Sequence, residues 1–484
     1  DYCCVQAVFG LKDQGFKTIM INCNPETVST DFDLVDRLYF EPVTYEDVMN
    51  IIDFEKPDGV LVQFGGQTPL KIARQLQKSG APIIGTSPDN IDLAENREKF
   101  GKVLKKLNIL CPKYGTGQTL NEVIQIAKKV SFPVLVRPSY VLGGRAMEIV
   151  YSKRQLIDYV YRSADVTKGH PILIDQFLEN AFEFDVDALS DGETVHIGAV
   201  MQHIEEAGIH SGDSACVLPP YQIKPEALEK IIEITKRLAM ELKVIGLINL
   251  QFAYKNEEIY VLEVNPRASR TVPFVSKTTN VPLARIASQL TVGAKLKDFK
   301  LIQWDSLNHV AVKEAVLPFN KFPLESIFLS PEMKSTGEVM GIDKDFGLAY
   351  AKSQIASQNS LPTKGLAFIS LKDRHKNEGV DLAKQLIKLG FTLCGTEGTA
   401  NRIIKNGIKC KKINKVSGGS PHIIDVLNSK KIALVINTGG GKRAYRIQDS
   451  TSLRRSTLIN KVPYCTNMST AYAFLEAIKS LITK

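Results

Sequence analysis

Residues 248–254 and the strand that next carries Glu263 and Asn265 read as a hairpin, and their polar positions form a donor set for a hard cation. Ile248, Leu250, Phe252 and Tyr254 alternate to one face, which leaves Asn249 and Gln251 on the other. Glu263 and Asn265 share a face of the following strand. An odd-length turn centred near Glu257 sets Gln251 opposite Glu263. Amide oxygens and a carboxylate then converge, a ligand set that suits Mg²⁺, with triphosphate oxygens and water filling the octahedron. Arg267 and Arg270 follow at once, placed to hold phosphate groups. The same residues also read as the solvated polar face of an edge hairpin. Arg137 closes an apolar run from Pro133 to Val136 and so sits at a strand end, where a guanidinium spreads the charge of a triphosphate. Gly143 and Gly144 just beyond it let backbone approach a phosphate; the other reading is a Gly-rich hairpin tip with a surface arginine. Glu183, Asp185 and Asp187 alternate on one strand face.

His203 and His210 invite a metal or acid–base role. Their spacing matches no zinc site and no nearby Cys/His pair completes one, so they read as structural groups or substrate contacts. The eight cysteines are scattered without a C-x-x-C pair, as reduced cytosolic thiols are. Composition is that of a globular chain, 44% hydrophobic and 23% charged. No apolar run is long enough to span a bilayer. The net charge of +9 is unevenly spread: from Asn359 onward 22 Lys/Arg face 7 Asp/Glu, a surplus of 15, and the rest of the chain is acidic by 6. A basic domain on an acidic body points to an anionic ligand. Its cations are dispersed, with no aromatic ladder between them, which argues against nucleic acid.

The elements that must position these groups alternate along the chain. The first residues have helical spacing at Tyr2, Val5, Val8 and Leu11, and because an α/β domain ordinarily starts with a strand, the chain reads as a fragment. Strands are expected at 17–22, 59–64 and 82–85 with helices between them, notably 68–78, as in a parallel sheet covered on both faces. Gly65-Gly66 is either a phosphate turn or a plain strand-to-helix turn. From Asn96 the pattern changes to hairpins and long helices, including one over 224–242 with Pro225 in its first turn. Residues 310–317 are strand-like before Pro318 and Pro323. From Asn359 an alternating β/α pattern returns, with strands at 366–371, 391–394 and 432–436. Thr396 to Thr399 ends one of these strands and opens a helix, a seat for an anion. The expected divisions are 1–95, 96–299, a connecting region at 300–358, and 359–484.

The motifs V-R-P-S-Y-V-L-G-G-R (136–145), Q-F-L-E-N-A-F-E-F-D-V-D (176–187), E-E-A-G-I-H-S-G-D (205–213), N-L-Q-F (249–252) and E-V-N-P-R-A-S-R (263–270), in this order, resemble an ATP-grasp ligase. N-C-N-P-E-T-V-S-T-D (22–31) and F-G-G-Q-T-P (64–69) narrow the resemblance to the second ATP-grasp unit of carbamoyl phosphate synthetase large chains. It implies three α/β parts: a truncated Rossmann-like pre-ATP-grasp domain, an α+β ATP-grasp domain and a methylglyoxal-synthase-like C-terminal domain. It implies ATP contacts at Arg137, Gln176, Leu178, Glu183 (on the ribose hydroxyls), Gly208, Ile209, His210, Ser211, Gln251 and Glu263. Mg²⁺ or Mn²⁺ falls to Gln251, Glu263 and Asn265, with K⁺ as a further cation, and Arg267 and Arg270 are the catalytic arginines. Asp185 and Asp187 receive no role, since they also fit a solvated acidic face.

The implied reaction of this half is phosphorylation of carbamate by MgATP to carbamoyl phosphate and ADP, for pyrimidine and arginine synthesis in the cytoplasm. Such transfer asks for alignment and charge neutralisation more than for covalent work. Carbamate decomposes in water, so the site should exclude water and receive it from the first ATP-grasp half. That N-terminal half and a glutaminase small subunit are the implied partners, in a heterodimer that can oligomerise further, with no nucleic acid or membrane. In the C-terminal domain the resemblance places UMP or IMP on Lys376, Thr396, Thr399, Lys415 and Asn437. Gly439 stands where the bacterial pattern has a second threonine. Glu205, Asp213, Glu314 and Thr466 match ornithine contacts, and otherwise are surface acids and a hydroxyl. Two other readings compete: a different ATP-grasp carboxylate–amine ligase, and a non-catalytic nucleotide-sensing fragment. The wording of the first domain counts against the former, and the complete Gln251, Glu263 and Asn265 set against the latter.

Overall fold

A computed structural model of the chain describes residues 1–138, 146–167, 171–319, 329–420, 422–438 and 444–483, without the side chains of 164–167, 417 and 444–450. The described residues of 1–142, 150–202 and 218–307 form one compact unit, and those of 143–149, 203–217 and 308–484 form a second. Among the described residues no helix is long and apolar enough to cross a membrane, and all eight cysteines are free.

The first unit starts with the helix Tyr2–Asp13. The expected strand at 17–22 forms as Ile19–Ile21, parallel to the short strand Arg37–Tyr39. The strands expected at 59–64 and 82–85 do not form a ladder; they meet in one parallel bridge, Val60 to Ile83. The backbone beyond Val60 is committed elsewhere: the Gln63 carbonyl accepts the Ala268 N–H at 3.0 Å. After Gly66, with φ of 71°, the helix Gln67–Lys78 begins, one residue earlier than expected.

Two sheets follow. The strands Tyr114–Gly117 and Val134–Pro138 both pair antiparallel with Ile172–Gln176. The helix Leu120–Val130 covers them, started by a capping box in which Thr119 and Glu122 satisfy each other's backbone amides. Val123, Ala127, Val134, Val136 and Ile174 form the core between. The larger sheet aligns Val195–His203, Phe182–Asp191, Ile245–Lys255 and Glu258–Asn265, each antiparallel to the next. One face is apolar, with Phe184, Val186, Ile248, Leu250 and Phe252 fully buried, and the opposite face is largely covered as well, with Asp185, Asp187 and Asn249 buried there. The helix expected over 224–242 runs Pro225–Glu241.

In the second unit Val310–Val316 pairs antiparallel with Gly337–Asp343, and the helix Phe346–Ala356 packs on this hairpin. The approach is close at Gly341, where an added Cβ would strike the backbone of that helix. Pro323 lies outside the described residues. The C-terminal part is a five-stranded parallel sheet in the order Lys411–Ile413, Phe391–Thr396, Gly365–Ser370, Ile432–Asn437, Tyr464–Cys465. The order reverses at Gly365–Ser370. Such a reversal opens a crevice at the carboxyl ends of the strands, where ligands of α/β sheets bind.

Candidate functional site

Antiparallel register builds the first site, because residues directly opposite each other point to the same face. Asn249 pairs with Asn265 and Gln251 with Glu263 on one side; on the other, Asn249 pairs with Asp187, Gln251 with Asp185 and Ala253 with Glu183. One polar face thus collects every acid and amide singled out in these strands. The turn that sets this register is not odd-length. Lys255 pairs with Glu258, so the turn holds two residues, Asn256 and Glu257, with φ of 50° and 66°. That is the tight turn matching strand twist. A bulge at Leu262 then shifts the ladder by one residue and brings Glu263 opposite Gln251.

Glu263 is exposed on this face, Gln251 half-buried and Asn265 buried. Arg267 donates to Asn265 Oδ1 at 3.1 Å and to the Ala268 carbonyl at 3.2 Å, and lies 3.9 Å from Glu95. Burial pushes the Glu95 carboxyl above its ordinary value, against the pull of Arg267. Arg270 is exposed at the end of the same loop. Asp185 and Asp187 are 2% and 0% exposed, so the solvated acidic face is wrong for them. Asp187 accepts from Asn249, Ser269 and Thr271. Burial pushes it up to about 6, against those three donors.

Arg137 lies in the strand Val134–Pro138, 3.9 Å from Asp175. Arg97 shares that carboxylate at 2.7 Å, donates to the Leu262 carbonyl at 3.1 Å and stacks over Tyr114. Arg97 and Asp175 were not singled out by sequence. Arg97 follows the helix cap Asn96, and Asp175 adjoins Gln176 in an apolar strand, so the only available signal was a charge in a buried strand. Gln176 pairs with the Lys113 backbone through its N–H at 2.7 Å and its side chain at 3.4 Å. Leu178 is buried and Glu183 half-buried. Gly143 and Gly144 lie outside the described residues.

In the second unit Gly208, with φ of 102°, starts a loop held to 330–335. His210 donates its backbone N–H to Ser330 and accepts from Gly212 N–H on Nδ1 at 3.0 Å, which leaves the proton on Nε2. Among the described residues no cluster of metal-ligating side chains includes His210. Ser211 offers its carbonyl to Lys313 Nζ at 3.3 Å, and Lys313 is 1% exposed. The Asp213 carboxylate accepts the Lys334 and Ser335 amides, both at 2.8 Å. Glu205 is buried and Glu314 half-buried: burial raises both carboxyls, and each sits in reach of Lys313, which lowers them. Their mutual repulsion adds to the rise at Glu314, whose carboxylate accepts from Gln354. Asp213 and Glu205 are therefore not surface acids. Thr466 is half-buried.

At the carboxyl ends of the parallel strands, Thr396 and Ser370 hydroxyls lie 3.1 Å apart and Thr399 accepts the Leu371 amide at 3.0 Å. Lys376 pairs with Asp373 at 2.6 Å, and its Nζ lies where a Cβ on Gly398 would come within 2.8 Å, over the first turn of the helix Glu397–Lys405. Asn437 is buried and Lys415 exposed. Thr438, not singled out by sequence, accepts the Lys372 amide at 3.0 Å. Gly439 lies outside the described residues.

Family models for the carbamoyl phosphate synthase preATP-grasp domain, the carbamoyl-phosphate synthase L chain ATP-binding domain and the MGS-like domain match residues 1–93, 96–299 and 378–466. The carbamoyl phosphate synthase large chain, C-terminal section, of Aquifex aeolicus is 51% identical over 497 residues, covering 99% of this chain and 92% of that protein. The chain belongs to the carbamoyl phosphate synthase large-chain family. The large chain of Archaeoglobus fulgidus is 54% identical over 99% of this chain, which spans 45% of that relative's length. Among solved structures, the biotin carboxylase of Campylobacter jejuni in a β-γ-ATP complex has a TM-score of 0.58 to this large-chain homologue at 14% identity, covering 73% of this chain and 88% of its own. N5-carboxyaminoimidazole ribonucleotide synthetase from Thermus thermophilus has 0.56 at 14%, covering 74% and 95%. At such identities the likeness concerns fold: a pre-ATP-grasp and ATP-grasp α/β architecture, with an MGS-like domain added.

Proposed function

We propose that this chain carries the ATP-dependent phosphorylation of carbamate within carbamoyl phosphate synthesis, together with an effector domain. The observation that supports it most is the registered polar face on which Gln251, Glu263 and Asn265 lie, followed directly by the Arg267–Arg270 loop. Hard oxygen donors of one carboxylate and two amides fit Mg²⁺ or Mn²⁺, which when bound neutralises triphosphate charge. K⁺ is a further cation of the same reading. The proposed nucleotide contacts are Arg137, Gln176, Leu178, Glu183, Gly208, Ile209, His210 and Ser211, with Gln251 and Glu263. Arg267 and Arg270 orient the transferred phosphoryl group by charge-assisted hydrogen bonds, in keeping with a reaction that runs on positioning.

The proposed partners are an N-terminal large-chain half that delivers carbamate and a glutaminase small subunit that delivers ammonia, in the cytoplasm, for pyrimidine and arginine synthesis. UMP or IMP binds at Lys376, Thr396, Thr399, Lys415 and Asn437, and ornithine at Glu205, Asp213, Glu314 and Thr466. The test is ATP formation from carbamoyl phosphate and ADP by the chain alone with saturating Mg²⁺. A folded, metal-replete chain that forms no ATP overturns the reading.

A further inference from the structure

The loop 266–271 carries both arginines, and two buried side chains from distant parts of the chain grip it from opposite ends. Gln63, 2% exposed, takes the first half. Its carbonyl accepts the Ala268 N–H at 3.0 Å, its Nε2 donates to the Pro266 carbonyl at 2.9 Å, and its Oε1 accepts the Thr86 N–H at 3.0 Å. Gly85, with φ of 89°, passes so close that an added Cβ would collide with Gln63 Oε1. Asp187, fully buried, takes the second half. Its Oδ1 accepts from Ser269 Oγ at 2.7 Å and from Asn249 Nδ2 at 3.0 Å, and its Oδ2 accepts from Thr271 Oγ1 at 2.6 Å. Arg270 is the residue between those two hydroxyls. Arg267 is braced within the same loop through Asn265 and the Ala268 carbonyl.

A fully buried carboxylate is costly unless hydrogen-bonded, and here two of its three donors belong to one loop. Bonds to an ionised acceptor are short and strongly directional. Neither Gln63 nor Asp187 belongs to the donor set for cation or phosphate. We propose that Gln63 and Asp187 are positioning residues for phosphoryl transfer, a two-sided clamp that sets where Arg267 and Arg270 present their guanidinium groups. The inference rests on the reading under Proposed function. It also ties the first 95 or so residues of the chain to the chemistry, since Gln63 comes from that part.

The test uses the full chain with Gln63→Met, which keeps the length but removes the side-chain bonds, and Asp187→Asn, which keeps the shape. Two readouts are taken: steady-state ATP formation from carbamoyl phosphate and ADP, and amide hydrogen exchange across 266–271. Each variant is expected to lower kcat by about 10- to 100-fold, the scale of a small misplacement of reacting groups, with KM for ADP within about twofold. Exchange at Ala268 and Thr271 should quicken by about tenfold or more. In an Arg270→Ala background, Asp187→Asn should cost under about threefold more, because both act through one loop. Unchanged exchange, an unchanged kcat, or fully additive losses each overturn the clamp. Should Asp187→Asn fail to fold, Ser269→Ala removes a single donor and must still move kcat and exchange in the same direction. An inactive wild type sinks the functional reading instead, and the exchange data then decide whether the two residues hold the loop.

Discussion

The hairpin face of the first unit and the strand-end crevice of the second both gather amides, hydroxyls and cations, yet they are built by different means. In the hairpin, cross-strand register delivers side chains: Gln251 against Glu263, Asn249 against Asn265. In the crevice, parallel strands end together and deliver backbone amides, threonines and the start of a helix, with Lys376 laid over that helix's first turn. The first kind of site concentrates negative and neutral oxygen ligands and calls for a cation. The second concentrates donors and calls for an anion. The difference teaches that each site's sensitivity to substitution should follow its construction: steep where one carboxylate carries a formal charge, shallow where many donors share a ligand.

The sharpest way to break this comparison is Glu263→Gln. It keeps the shape and removes the charge, and should lower carbamoyl-phosphate-dependent ATP synthesis by roughly 100-fold or more, as loss of one electrostatic stabiliser does. Circular dichroism should show the fold intact. Near-wild-type rates at saturating Mg²⁺ would falsify the assignment. In the crevice, Lys376→Ala should weaken UMP or IMP by about tenfold, the scale of one charge-assisted bond. Lys415→Ala, exposed and screened by solvent, should cost only about two- to threefold. Calorimetry on the whole chain measures both, and an effect of Lys415 exceeding that of Lys376 would reverse the proposed geometry.

The effect on stability rather than on ligand is expected at the paired acids of the second unit. Glu205 and Glu314 have carboxyls raised above the ordinary glutamate value by burial, and Glu314 also by Glu205. The folded protein therefore binds protons that the unfolded chain has released. Stability present at low pH is lost as pH rises from the ordinary glutamate range through the raised values. Glu314→Gln removes one of the two like charges and should flatten that decline, leaving the variant more stable than wild type by about 1 kcal/mol at pH 8, on the scale of a relieved buried charge conflict. Thermal melts from pH 5 to 9 check this; parallel curves for the two proteins would show that the pair does not titrate in this window.

Much of both sites is written in local pattern. Period-two alternation in 248–254, with Glu263 and Asn265 two residues apart in the next strand, yields the hairpin and its polar face. The Thr396–Thr399 turn is legible because the strand Phe391–Thr396 runs directly into a helix start. Where the pattern falls short, the missing quantity is non-local. An odd-length turn after Lys255 is the simplest way for Gln251 and Glu263 to meet, whereas the chain uses a two-residue turn and a bulge at Leu262. Asp185 and Asp187 fit a wet acidic face by type, yet both are buried, whereas Glu263 on the same face is exposed.

What the chain's own order of residues determined, then, is the set of elements, the polar face of the hairpin and the motif series that places it in its family. These follow from periodicity and spacing, which act within a few residues. Only the tertiary structure decided which acids are buried, that Arg97 and Arg137 share Asp175, and that Gln63 and Asp187 grip the same loop. Gln63 and Pro266 are 203 residues apart. The free energy of a buried polar group depends on which partners surround it in space, and strand pattern says which face a side chain points to without saying what covers that face.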